Sequence, residues 1–148
     1  MGQTFTKIWH RLVGAPRETK ILMLGLEGAG KTTLLYKLKL GQVNTIIPTI
    51  GFTIEQAERR TPQRHVSFTV WDVGTAEMSR LRMMPWCRYY RGVQAVIFVV
   101  DSSDVDRMDA AARELSNVMQ EDELHDAKLL VLANKQDRPT AITASESS

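Results

Sequence analysis

Gly25-Leu26-Glu27-Gly28-Ala29-Gly30-Lys31-Thr32 decides how this chain folds. The stretch fits G-x-x-x-x-G-K-[ST] and stands between the apolar run Ile21-Leu22-Met23-Leu24 and residues 31–40, which read as a helix. Small residues at Gly28, Ala29 and Gly30 let successive backbone N–H groups turn inward around a phosphate, and a helix starting near Lys31 adds its positive end. Lys31 is suited to put a compact charge on the β- and γ-phosphates, and Thr32 to offer a hydroxyl to Mg²⁺. A chance glycine turn would not bring strand, helix, lysine and threonine together in this order.

Outward from this loop, two further apolar runs repeat the theme: 95–100, ending at Asp101, and 129–133, ending at Asn134. Continuous apolar strands are expected where helices cover both faces of a parallel sheet. Between Phe52 and Asp72 the pattern changes. Val66, Phe68 and Val70 alternate with Ser67, Thr69 and Trp71, which predicts a half-buried strand. Phe52 and Ile54 begin its partner, with Thr61-Pro62-Gln63 in the connection, so an antiparallel hairpin is expected at one edge of the sheet. A second helix is predicted over 105–124, with Val105, Met108, Ala112, Leu115 and Met119 as its core stripe and Ser103 with Asp106 as a capping box. The sum is an α/β doubly wound fold of the P-loop NTPase type: a mostly parallel sheet with an antiparallel hairpin.

Composition narrows the function. The 148 residues suffice for one domain, and 43% apolar with 24% charged is ordinary for a globular protein. A net charge of +2 gives no case for nucleic-acid binding. Cys87 is the lone cysteine, so no internal disulfide is possible and a reducing, cytoplasmic setting is the simpler expectation. The N-terminus carries neither a membrane-spanning run nor a secretory leader pattern. Residues 1–16 stand apart: Phe5, Ile8, Trp9, Leu12 and Val13 recur at helical spacing before Gly14-Ala15-Pro16 breaks the pattern. They are expected to form an amphipathic helix and hinge ahead of the nucleotide-binding domain at 17–148. Met1-Gly2-Gln3-Thr4-Phe5-Thr6 fits the N-myristoylation pattern, which makes Gly2 a candidate for acylation. One acyl chain anchors only marginally, so an adjacent helix carrying Trp9 is the second signal that such an anchor needs. Residues 140–148 are small and polar and are expected to fray.

Two more segments bear chemistry. Asp72 ends an apolar strand in Val70-Trp71-Asp72-Val73-Gly74, where an acid beside a P-loop supports Mg²⁺ through a water. Asn134-Lys135-Gln136-Asp137 follows the run 129–133 directly. Its carboxylate can accept from guanine N1–H and the exocyclic amine, whereas adenine would leave Asp137 unpaired. Asn134 and Lys135 are expected to brace the loop and cover the ring.

These three segments together resemble the small GTPases, and the finer likeness is to the Arf (ADP-ribosylation factor) branch. It is carried by Ile21-Leu22-Met23-Leu24-Gly25-Leu26, by Lys31-Thr32-Thr33-Leu34-Leu35-Tyr36-Lys37-Leu38-Lys39-Leu40-Gly41, and by Ile47-Pro48-Thr49-Ile50-Gly51-Phe52. Phe68-Thr69-Val70-Trp71-Asp72-Val73-Gly74 and Ile97-Phe98-Val99-Val100-Asp101-Ser102 extend it. The resemblance runs from Met1 to about Ala144. It implies a GTP/GDP switch with Mg²⁺, met by an exchange factor, an activating protein and effectors at the cytoplasmic face of the Golgi or another endomembrane. It implies nucleotide contacts from Gly25, Leu26, Glu27, Gly28, Ala29, Gly30, Lys31, Thr32 and Thr33, from Gly74 and Thr75, and from Asn134, Lys135 and Asp137. Metal would be reached by Thr32, Thr49 and Asp72, and effectors would read Phe52, Trp71 and Tyr89, although hairpin packing is an equally good reading of those last two aromatics. The N-terminal helix would pack on the domain with GDP and release to lipid with GTP.

Three departures qualify the likeness. Where the family reads W-D-V-G-G-Q, this chain has Trp71-Asp72-Val73-Gly74-Thr75-Ala76, without the glutamine that orients the attacking water. The connections across 58–66 and 74–86 are longer. The family's last strand and closing helix have no counterpart before Ser148, so the strand 129–133 is expected at an open apolar edge. Impaired hydrolysis is therefore expected, and no catalytic residue is assigned. Two alternatives stay open on sequence grounds: a non-cycling nucleotide-binding module, and a piece without stable function of its own.

Overall fold

A computed structural model describes residues 18–38, 43–46, 53–60, 65–72, 90–143 and 145. Six strands form one sheet: β1 (Glu18–Leu24), β2 (Val43–Ile46), β3 (Thr53–Arg60), β4 (His65–Asp72), β5 (Val93–Asp101) and β6 (Lys128–Asn134). Their order is β2-β3-β4-β1-β5-β6. β1 runs parallel to both β4 and β5, and β5 runs parallel to β6, so four strands are parallel. β3 lies antiparallel to β4, with Ile54 opposite Trp71 and Ala57 opposite Phe68. The α/β class and the mostly parallel sheet are as expected.

The apolar runs read as continuous because each strand feeds two cores. On one face Leu22, Leu24, Val96, Phe98 and Val100 pack with Ala111, Val118 and Leu124. On the other, Ile21, Met23, Ala95, Ile97 and Val99 pack with Ala29, Leu35 and Val66. Helix α1 (Lys31–Lys37) contributes Leu35 to the second core, and α2 (Met108–Met119) contributes Ala111 and Val118 to the first. Phe98 and Leu22 are wholly buried. At about 25 cal/mol per Å² of apolar area, these two cores are the main stabilising term.

Four expectations need correction. The hairpin β3–β4 is not at the sheet edge, because β2 pairs antiparallel to β3 outside it, Val43 opposite Ala57. The four residues of β2 lack any alternation that would have marked them. The face of β4 expected in solvent is not all wet, since Thr69 is 3% exposed, opposite Leu22 of β1. The stripe of the second helix also rotates. Val105 lies in a separate 3-10 turn (Val105–Arg107) and is 53% exposed, and Ala112 is exposed as well. Within the helix Met108, Ala111, Leu115 and Val118 face the core, so Met108 and Leu115 are as expected and Ala111 and Val118 replace Ala112 and Met119. Finally, Ser103 does not cap. Its N–H and its hydroxyl both donate to Asp101 Oδ1, at 3.0 and 2.6 Å, and the turn starts at Asp104 without a side-chain cap.

β6 pairs with β5 and, among the described residues, with no strand on its other side. Leu129 and Val131 are exposed along it, as the expected open edge requires. No helix among the described residues is long and apolar enough to cross a membrane.

Candidate nucleotide-binding site

The loop between β1 and α1 is shaped by backbone. Gly25, Gly28 and Gly30 all take positive φ, at 146°, 77° and 96°. A Cβ at Gly25 would overlap the Val99 carbonyl of β5, and one at Gly30 would overlap Asn134 Nδ2. Glycine is therefore required at Gly25 by the sheet, and at Gly30 chiefly by its left-handed φ of 96°, since the Asn134 amide it would meet is the end of a side chain that can shift. Ala29 N–H donates back to Leu26 O at 3.2 Å, closing the turn. Among the described residues the N–H groups of Gly28 and Gly30 have no acceptor.

Lys31 opens α1 and is 2% exposed. Its Nζ donates to Gly25 O at 2.9 Å and Leu26 O at 2.8 Å, so a buried ammonium is satisfied by the loop's own carbonyls. Thr32, in the first turn, is half-buried, and Thr33 is exposed.

The loop after β6 meets this one from the side. Asn134 Nδ2 donates to Ala29 O at 2.8 Å. Lys135 adopts φ 62°, unusual for a side chain of its size, and its Nζ donates to Gly28 O and Asp101 Oδ2, both at 2.6 Å. The bracing roles read into Asn134 and Lys135 thus have a geometric basis, and Asp137 is exposed just beyond them.

Two contributors escaped the sequence reading as site residues. Asp101, at the end of β5, accepts from Lys135 and twice from Ser103. Burial alone would raise its carboxyl, but the hydrogen bonds from Lys135 and Ser103 win and hold it below the ordinary carboxylate value. The same signal credited to Asp72, an acid ending an apolar run, was available for Asp101. Gln136 is the second. Its Nε2 donates to Ser102 Oγ at 2.8 Å and Ile142 O at 3.0 Å, and Ile142 N–H donates to Ser102 O at 2.9 Å. The chain after the loop is thereby pinned to the end of β5.

Trp71 and Asp72 close β4, the neighbour of β1. Thr32 stands in the first turn of α1 after the loop, and Asp72 ends β4, which lies beside β1; hydroxyl and carboxylate are the hard oxygen donors that suit Mg²⁺. Among the described residues no three His, Cys, Asp or Glu side chains gather as a metal cluster. An ion there would depend on phosphate and water oxygens as well. Gly2, Thr49, Phe52, Gly74, Thr75 and Tyr89, and with them the N-terminal helix at 1–16, lie outside the described residues.

With a glycine-shaped phosphate loop, a buried lysine and an Asn-Lys-x-Asp loop bonded to it, the comparison with known families is direct. The model of the Arf family, described as the ADP-ribosylation factor family, matches residues 5–148. The chain belongs to the ADP-ribosylation factor family. Membership makes it a small GTPase of the P-loop fold and a GTP-binding switch, a class that works with regulators and effectors.

Proposed function

We propose that this Arf-family chain binds GTP and GDP between the β1–α1 loop and residues 134–137, and that it cycles slowly as a switch at a membrane surface in vesicle or membrane trafficking. The observation that carries the nucleotide reading is the tie between the two loops: Asn134 to Ala29 and Lys135 to Gly28. It fixes the reader of the base relative to the cradle of the phosphates. In this reading Gly25 to Thr33 wrap the phosphates, Gly74 and Thr75 meet the γ-phosphate by backbone, and Asp137 accepts from guanine. Thr32, Thr49 and Asp72 would hold Mg²⁺, whose charge offsets that of the phosphates when it is bound. Membrane attachment rests on the acylation pattern at Gly2 and the apolar spacing with Trp9. Phe52, Trp71 and Tyr89 would form the effector patch.

Slow hydrolysis rests on Thr75 and Ala76. Phosphoryl transfer needs a water held in line with the γ-phosphate, and Ala76 has no group to hold one. Glu77 is adjacent, but its negative charge would sit badly beside the phosphates. Thr75 keeps its N–H, yet its β-branched side chain stiffens the backbone. The test is single-turnover GTP hydrolysis with an Arf-activating protein, comparing the parent with Thr75→Gly/Ala76→Gln. The restored variant should be faster by about tenfold or more, since in-line positioning is what it regains. Equal rates would overturn the slow-hydrolysis reading. For the membrane reading, Gly2→Ala and Trp9→Ala should each reduce partitioning of the GTP-loaded protein, and partitioning equal to the parent's would refute it.

A further inference from the structure

Three successive carbonyls at the tip of the phosphate loop are each held from behind by a long polar side chain. Ala29 O takes Asn134 Nδ2 and Gly28 O takes Lys135 Nζ. Glu27 O takes Arg107 Nη1 at 3.2 Å, from the 3-10 turn that precedes α2. The first two donors belong to the Asn-Lys-Gln-Asp stretch. Arg107 belongs to neither motif and was not read as part of the site.

Arg107 is itself gripped. Its Nε donates to Asp104 Oδ2 at 2.6 Å, and Nη2 contacts the same oxygen. That fixes the guanidinium plane and leaves Nη1 for the loop. Little else fixes Glu27 and Gly28, which are both exposed, and a Cβ built at Gly28 would touch nothing within 4 Å. Between the loop and α2 there is a crevice of about 10 Å³, lined by Leu26, Ala29, Met108 and Ala111 with Arg107 and Asp104 among the polar walls. That is room for about one water, so packing is incomplete there.

We infer that Arg107 is a positioning residue of the phosphate loop: clamped by Asp104, it holds the Glu27 carbonyl outward and so slows release of a bound guanine nucleotide. Fixing a carbonyl outward biases the next peptide N–H toward the concave side, where a phosphate would lie. The role assigned to Arg107 runs through the Glu27 carbonyl and needs no contact with the nucleotide. The slowing of release rests on the nucleotide-binding reading above, whereas the hold on the loop does not.

The experiment therefore has two arms, both on the full chain. Hydrogen exchange of the peptide 26–31 is compared without nucleotide in the parent, Arg107→Gln, Arg107→Lys and Asp104→Asn. Release of N-methylanthraniloyl-GDP is then followed in the same four proteins, together with the ratio of GDP to IDP affinity. Arg107→Gln should exchange faster at 26–31 and release the labelled GDP about two- to fivefold faster, the range for one exposed charge-assisted contact. Arg107→Lys and Asp104→Asn should fall between it and the parent. The GDP-to-IDP ratio should not move, because base reading is left alone, whereas a general loss of structure would disturb it. Unchanged exchange in Arg107→Gln and Asp104→Asn overturns the hold on the loop. Changed exchange with unchanged release overturns the control of release. A parent that fails to retain GDP refutes the nucleotide reading, and the exchange arm still decides the hold.

Discussion

Residues 25–30 and residues 134–137 meet in space but are built from opposite materials. In the first, three glycines with positive φ shape the chain, and the groups on offer are backbone amides and carbonyls. In the second, one unusual φ at Lys135 is enough, and side chains do the reaching: Asn134 to Ala29, Lys135 to Gly28 and Asp101, Gln136 to Ser102. A backbone cradle suits phosphate, which every nucleotide carries. Side chains suit a base, whose edge differs between nucleotides. Damage to the first loop should then act through shape and on all nucleotides alike. Damage to the second should act through chemistry and change which nucleotide is preferred.

The sharpest way to break this division is Asp137→Asn. The carboxylate gives way to an amide that can also donate, which suits the extra carbonyl of xanthine. Affinity for GDP should fall by about a thousandfold while affinity for XDP rises, the scale seen when a site built for one hydrogen-bonding pattern meets another. Competition titration of the two diphosphates measures it. If GDP and XDP weaken together, Asp137 is supporting the loop instead of reading the base.

The complementary test is steric. Gly25→Ala drives a Cβ into the Val99 carbonyl at a φ of 146°, whereas Gly28→Ala meets nothing and has only its φ of 77° to accommodate. The first should lose about 3 kcal/mol of unfolding free energy and the second about 1 kcal/mol, by urea denaturation without nucleotide. Neither should alter the ratio of GDP to XDP affinity. A changed ratio in Gly28→Ala would end the clean separation of the two loops.

The same contrast explains what was legible in the sequence. Gly25, Gly30 and Lys31 announce themselves because few residue types meet backbone demands of this kind, and the spacing between them is fixed by the turn. The strands β1 and β5 are legible because burial on two faces leaves unbroken apolar runs, and β6 is legible by the same apolar run although Leu129 and Val131 on it are exposed. β2 is not: Val43–Ile46 is short and bears Asn44 and Thr45, and only its pairing with β3 makes it a strand. The expected helix stripe shares Met108 and Leu115 with the observed one. Val105 drops out because it lies in a 3-10 turn before the helix, and Ala111 and Val118 take the places of Ala112 and Met119, a choice of adjacent rows that apolar spacing alone does not settle. Arg107 and Gln136 were invisible as site residues for a different reason. Their partners lie 80 and 34 positions away. Asp101 could have been found, since it ends an apolar run as Asp72 does.

The smallest expected effect concerns the seam between the loops, at Asp101. Lys135 stands between two acceptors, Gly28 O in the β1–α1 loop and Asp101 Oδ2 at the end of β5. The Asp101 side chain is 11% exposed, so its carboxylate would be costly without Lys135 and Ser103. Asp101→Asn keeps an oxygen for Ser103 but turns an NH₂ group toward an ammonium, donor against donor. Stability at neutral pH should fall by about 1 kcal/mol, below the usual range for one charged hydrogen bond because Lys135 remains partly hydrated. The sign of the pH dependence follows from the lowered carboxyl. A group whose folded-state value lies below its unfolded value stabilises the fold above the unfolded value, and that share is lost as the pH falls through the folded value. The gap between parent and Asp101→Asn should therefore be full at pH 6–7, begin to close at about pH 4, and shrink further as the pH falls. Urea denaturation of both proteins across that range supplies the curve. A gap that stays constant down to pH 3 would mean that Asp101 acts by shape alone, and the seam would then belong with the backbone-built loop.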